Sequence, residues 1–306
     1  MEVALSGGTG FVGRAMATEL AAHGHQARLL VRDGRPLPHA LSSLSPAPVL
    51  HEVDWDRTES LAEALTGAEA VIHLVGIIAE CGRQTFERIH TELTGRLLEA
   101  ALAAKVPRLI HMSALGTRPG APARYHQTKW AAEQRVRDNP LPWTIFRPSL
   151  IYGPGDAVTR LFAKLSRWSP CLPVMGPGTA MLQPIRVENV ARAFVRSLST
   201  PESEGRTYEL CGHDRLDFKA FLRAILEACG RRRLLLPIPL PIARLQAALF
   251  ERVFPAVLHQ PPPLSRDQLL MLQEDNVGDP APADRTFQLV HLPFREDLRT
   301  YLRPAP

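Results

Sequence analysis

Two rhythms of apolar residues alternate along the first half of the chain. Short apolar-rich runs, Val3-Ala4-Leu5, Gln26–Val31, Val49–Val53, Ala70–Val75 and Arg108–Met112, have the size of buried parallel strands. Between them the apolar positions recur every three or four residues, the spacing of a helix that buries one face. Ala15, Met16, Leu20 and Ala21 follow the first run, a short helix is predicted at Glu59–Leu65, and a long one over about 85–104 carries Ile89, Leu93, Leu97, Leu98 and Ala101 on one stripe. Another helix opens at Tyr125 and continues through Ala132 and Val136. Strand and helix alternate in this way to about residue 147, which predicts an α/β fold with a doubly wound parallel sheet. From Gly155 the alternation loosens and prolines accumulate, which predicts a smaller, mostly helical lobe. Gly34–Pro48 reads as a loop and Asp279–Asp284 as a proline-rich linker.

The first strand runs directly into Ser6-Gly7-Gly8-Thr9-Gly10-Phe11-Val12-Gly13, and a helix pattern follows at once. Strand, glycine turn and helix are the context in which a GxGxxG match points to a dinucleotide. Gly7 and Gly8 allow a tight turn, Gly10 lets backbone N–H groups approach a pyrophosphate, and Gly13 lets the helix pack close to the strand. The helix N-terminus adds unpaired donors and a partial positive charge. A Rossmann domain is therefore expected from residues 1–154 and 184–206, with 155–183 and 207–306 as a C-terminal substrate or partner lobe.

The remaining strand ends supply the other candidates. In NAD-selective folds an acidic residue about 20 positions past the glycines takes the ribose hydroxyls. Arg32 stands near that place, and its guanidinium, with Arg14 just after the last glycine, suits a 2′-phosphate. NADP(H) is thus favoured, while Asp33 keeps NAD(H) open and Arg32 is equally readable as a surface arginine. Asp54 is placed either to accept from an adenine amino group or to cap the next helix. Val75 and Gly76 end strand four beside the expected ribose, and Ser113 follows strand five. Ser113 reads equally as a hydrogen-bond donor to substrate and as a strand-end cap.

Composition sharpens one further pair. Of the 36 basic residues only four are lysine, so each lysine invites attention. Lys129 lies four residues after Tyr125, one turn along the same helix face. An ammonium near a phenol favours the phenolate and is expected to lower its pKa, making Tyr125 an acid–base group. The formal charge of +5 comes without any block of five like charges, so nucleic acid is not an expected partner. The four cysteines form no CxxC pair, and neither a metal site nor a disulfide framework is expected. With no run of about 18 apolar residues and a strand starting at residue 2, the expected location is cytoplasmic.

The glycine loop, Ser113, Tyr125-x-x-x-Lys129 and Arg147-Pro148-Ser149-Leu150-Ile151-Tyr152-Gly153-Pro154 together resemble the extended and atypical short-chain dehydrogenase/reductases, over essentially the whole chain. The resemblance implies that Tyr125 exchanges the proton, that Lys129 also holds the nicotinamide ribose and that Ser113 polarises the substrate. It places the turn around Pro148 near the nicotinamide. His90 stands where many extended members have a helix asparagine, and Ala114 where a second hydroxyl is frequent. Gln183–Ala191, Leu264–Gln268 and Leu272–Val277 are similar to the subgroup of the ninth alpha-subcomplex subunit of respiratory complex I and its free-standing bacterial relatives. That subgroup implies bound NADPH.

Three function classes follow. The first is an oxidoreductase passing hydride between NAD(P)(H) and a carbonyl or alcohol of a small molecule, with lipophilic and quinone-related substrates and epimerase-like chemistry open. The second is a non-catalytic NADPH-binding structural or assembly protein contacting a respiratory complex. The third is a cofactor-sensing regulator. The apolar stretch Leu234–Phe250 is expected to roof a lipophilic cleft, to lie on the inner membrane face, or to pack on the Rossmann core.

Overall fold

The computed structural model describes residues 1–32 and 37–302. The first half alternates as the apolar rhythm predicts, except that the stretch expected as a loop at 34–48, described from residue 37, holds a short helix: β1 (Glu2–Ser6), α1 (Phe11–Ala22), β2 (Gln26–Val31), α2 (His39–Ser42), β3 (Val49–Glu52), α3 (Thr58–Leu65), β4 (Ala70–His73), α4 (Leu93–Ala103), β5 (Leu109–Met112), α5 (Arg124–Arg137) and β6 (Trp143–Pro148). Then come β7 (Ile151–Tyr152), α6 (Ala157–Trp168), β8 (Cys171–Met175), β9 (Met181–Leu182), β10 (Ile185–Arg186), α7 (Val187–Ser197), β11 (Arg206–Leu210) and β12 (Leu216–Asp217). The chain closes with α8 (Phe218–Ala228), β13 (Leu234–Ile238), α9 (Leu240–Val253), α10 (Arg266–Met271), α11 (Ala281–Phe287) and α12 (Phe294–Tyr301).

Seven parallel strands in the order β11-β6-β5-β4-β1-β2-β3 form the main sheet. Strand order reverses between β1 and β4, and in such sheets ligands bind there, beyond the carboxyl ends of the strands. Alternate side chains of each strand enter opposite faces. Val3, Leu5, Leu29, Ile72 and Phe146 meet α1 and α7, whereas Ala4, Leu30, Val71 and Ile145 meet α3, α4 and α5. A helix layer on each face is why these strands read as continuous apolar runs.

The second half departs from expectation in three places. β11 extends the sheet to Leu210, four residues past the expected return at 206. The proposed linker at 279–284 is largely α11, whose Phe287 is fully buried against Phe146 and Tyr208. Its prolines sit at Pro280 and Pro282, where a helix start tolerates a missing N–H. The stretch Leu234–Phe250 does not pack on the Rossmann core: β13 pairs only with β8, and α9 buries just Ala243 and Ala247. Tyr152, Phe218, Phe221, Phe294 and Leu298 make a separate core for this lobe. Among the described residues no helix is long and apolar enough to cross a membrane.

Candidate functional site

The opening loop is shaped by what cannot fit in it. Gly7 adopts φ +74°, and the Gly10 N–H donates back to its carbonyl at 3.1 Å. A Cβ on Gly13 would lie 2.2 Å from the Gly7 oxygen and 2.5 Å from the Gly8 Cα, so only glycine lets the first turn of α1 press against the loop. Gly10 is the N-cap, no side chain caps the helix and its first turn holds no acid. The donor-rich end formed by Phe11, Val12 and Gly13 therefore suits a diphosphate. Arg14 folds back to donate to the Thr9 carbonyl at 2.9 Å and lies beside Gly155, which ties the loop to the turn after β7.

The other strand ends line up along the same edge of the sheet. Arg32 is exposed at the end of β2; Asp33 lies outside the described residues. Asp54 does not cap α3, whose N-cap position is Arg57. It accepts the Asp56 N–H at 3.0 Å and closes its own turn. Ser113 is buried just past β5, and among the described residues its Oγ makes a long 3.5 Å contact with Thr117 Oγ1. Pro148 ends β6 and accepts the Leu115 N–H at 2.9 Å, which stitches the loop after Ser113 to that strand.

α5 brings the reactive pair to this edge. Lys129 is 2% exposed, and its Nζ donates to the Met112 carbonyl at 3.0 Å. A Cβ on Gly76 would stand 3.1 Å from that Nζ, so Gly76, Met112 and Lys129 meet at one point. Burial lowers the ammonium to about 8, with Glu133 opposing. Tyr125 is half-buried, met edge-on by Phe86, His90 and His126. Burial pushes its phenol up to about 12. The expected lowering by Lys129 is not seen, because desolvation dominates the phenol and the ammonium is engaged by a carbonyl.

His90 owes its place to a π-helical turn, Glu87–Glu92, ahead of α4. One extra residue per turn aims the imidazole inward, as π turns at functional sites commonly do. Its Nδ1 lies 2.9 Å from Thr128 Oγ1 and its Nε2 3.0 Å from the Ile77 carbonyl, so it links the Gly76 loop to α5. Burial lowers His90 to about 2 and His73 to about 3. His73 is held between Ser6 Oγ at 2.7 Å and Thr94 Oγ1 at 3.1 Å. Buried His111, its ring 5.4 Å from that of His73, has no hydrogen-bond partner among the described residues on either ring nitrogen. All three are neutral at pH 7.

The sequence signature of the NAD(P)H-binding family matches residues 7–167, which span the glycine loop and the tyrosine–lysine pair. The chain belongs to the NAD(P)H-binding family. Its relatives include the mitochondrial NADH dehydrogenase [ubiquinone] 1 alpha subcomplex subunit 9 of Arabidopsis thaliana, 29% identical over 282 residues, 89% of this chain and 69% of that one. A ceramide reductase of Caulobacter vibrioides is 35% identical over 199 residues, covering 65% of this chain and 61% of the relative. This chain thus spans under two thirds of that relative's length. A nucleoside-diphosphate-sugar epimerase from Staphylococcus aureus shares the fold at TM-score 0.77 and 17% identity, with 98% of this chain and 100% of that one covered.

In this NAD(P)H-binding chain the site is braced by residues that spacing could not reveal. Asp267 accepts the N–H groups of Arg124 at 2.7 Å and Tyr125 at 3.0 Å, capping α5 from 142 residues downstream. Asn276 accepts the Leu150 N–H at 3.1 Å and reaches toward the Leu115 carbonyl. Both belong to the stretches that resemble the complex I subunit. The turn residue Arg147 is not aimed at ligand: with Arg137 it grips the buried Glu133 of α5 at 2.6–2.8 Å. Outside this edge, His213, Asp284 and His291 gather within 4.8 Å. Asn189 donates to Val290 O and faces His291 Nδ1, so the Nε2 proton goes to Asp284 at 2.8 Å. That network closes as hydrogen bonds.

Proposed function

We propose that the chain is an NADP(H)-preferring reductase of the short-chain type acting on the carbonyl of a lipophilic small molecule. The observation that carries this is the buried Lys129 Nζ, set between the Met112 carbonyl and Gly76, with Tyr125 one turn away on α5. When bound, the nicotinamide supplies the hydride. Phe11, Val12 and Gly13 would hold the diphosphate, Arg32 the 2′-phosphate, and Lys129 the ribose beside Val75 and Gly76. Ser113 would orient the carbonyl oxygen, since its long contact to Thr117 is readily exchanged for a better acceptor.

Tyr125 would give its proton to that oxygen. A phenol held near 12 is fully protonated at neutral pH, which suits the reduction direction. A lipophilic substrate is supported by the ceramide reductase relative, and a cytoplasmic site facing the inner membrane fits such a substrate. The proposed division of labour keeps the nucleotide on residues 1–154 and 184–210 and the substrate against the remaining lobe.

A second reading, favoured by the similarity to the complex I subunit, is an NADPH-holding assembly protein without turnover. The test is NADPH oxidation with long-chain ketones, aldehydes and quinones. Tyr125→Phe is expected to lower turnover by about 10²–10⁴ while nucleotide affinity stays the same. Non-exchanging NADPH, no oxidation by any of the panel and co-purification with respiratory subunits would favour the second reading.

A further inference from the structure

In the C-terminal lobe, large apolar side chains face outward where small ones face in. On α6, Leu161, Leu165 and Trp168 recur at i, i+4 and i+7, all exposed, with Trp168 at 83%. Arg160, Lys164 and Arg167 repeat the same spacing one residue earlier, and no acid occurs between Ala157 and Trp168. α9 inverts the usual packing: it buries Ala243 and Ala247 and exposes Ile242, Leu245, Leu249 and Val253. These four fall within a quarter-turn arc of the helix. Between the two helices, β13 exposes Leu234 and Leu236 on an edge strand.

These segments are joined to one another. Arg231 donates to the Ala163 carbonyl at 3.0 Å and Arg233 to the Ser166 carbonyl at 2.9 Å, clamping the start of β13 to the end of α6. β13 pairs with β8, and Leu240, which opens α9, sits on Gly176 just after β8. Across 157–168 and 231–253 there are eight basic residues and one acid, Glu251, which is already bound by Arg266 at 2.7 Å.

We propose that this face docks on a bilayer carrying anionic headgroups, with the apolar stripes of α6 and α9 in the acyl boundary and the arginines at phosphate level. Interfacial helices combine these features: an apolar stripe, a basic flank and a tryptophan at the boundary. A second copy is a poor occupant, because two such cationic faces repel. The inference needs no part of the nucleotide site and stands apart from the proposed reaction.

The test is co-sedimentation of the full chain with phosphatidylcholine vesicles, with and without phosphatidylglycerol. Phosphatidylglycerol is expected to raise binding at least about tenfold, and added salt to reverse the gain. Leu245→Glu/Leu249→Glu is expected to lower binding about tenfold with an unchanged circular dichroism spectrum, since both side chains are exposed. Arg160→Glu/Lys164→Glu is expected to remove the preference for phosphatidylglycerol. Equal partition into both vesicle types, or wild-type binding in the leucine variant, overturns the proposal. So does self-association that the same substitutions abolish without any vesicle binding.

Discussion

The edge of the sheet and the C-terminal lobe use buried and exposed surface in opposite ways. At the sheet edge, polar groups are drawn in: Ser6, His73, Thr94, His90 and Lys129 are all buried around the strand ends. In the lobe, large apolar side chains are pushed out, and α9, which exposes Ile242, Leu245, Leu249 and Val253, buries alanine. A buried polar group costs free energy unless it is paired, and these five are paired; a buried cluster of such groups with shifted titration is the kind of place where function is sought. An exposed aliphatic stripe marks a place where a second surface completes the fold. The two regions are also coupled, because the lobe supplies Asp267 and Asn276, which brace the sheet edge.

Acid should separate the two regions most strongly. His73, His90 and His126 are lowered by burial to about 3, 2 and 4, and His111 is lowered well below its usual value. The unfolded chain binds protons below about pH 6.5 that the native state refuses, so stability present above that pH is lost as pH falls. A loss on the order of several kcal/mol is expected between pH 7 and 5 in urea titrations. His111→Phe should recover part of it, since neither ring nitrogen has a partner to lose. A flat profile would mean the sheet edge admits protons freely, and the contrast would fail.

Two caps sharpen the coupling. Asp156 caps α6 within the lobe, whereas Asp267 reaches across to cap α5. Each change to alanine is expected to cost about 1–2 kcal/mol of unfolding free energy. Only Asp267→Ala should also lower turnover, because only that cap orients the helix of Tyr125 and Lys129. Equal turnover in the two variants would make the lobe a mere neighbour of the site.

What could be read beforehand follows the range of the forces involved. Strand–helix alternation, the glycine loop and the tyrosine–lysine pair are local patterns within a few turns, and the structure carries all of them. The π turn at Glu87–Glu92 was invisible because its apolar stripe reads as ordinary helix. Asp267 and Asn276 act across more than 120 residues, a distance that periodicity does not register. α11 was hidden because prolines suit both a linker and a helix start. Burial likewise reversed the expectation for the phenol of Tyr125, since desolvation depends on packing that spacing alone does not show.

The smallest expected effect concerns cofactor choice. Arg32→Ala should weaken NADPH by about tenfold and leave NADH unchanged in parallel titrations, the magnitude of one lost charge-assisted contact. Equal weakening of both nucleotides would remove Arg32 from the 2′-phosphate.

The central claim is that a dinucleotide lies over the opening loop, and Gly10 tests it most directly. Gly10 has φ −73° and ψ 179°, open to any residue; a Cβ there meets the Gly7 oxygen at 3.3 Å, so the loop must yield by a few tenths of an ångström, while an aspartate at this N-cap can accept from the first turn of α1 in return. Gly10→Asp should therefore keep the wild-type melting temperature while abolishing NADPH binding in a fluorescence titration. Saturable NADPH binding that survives this substitution would contradict the account.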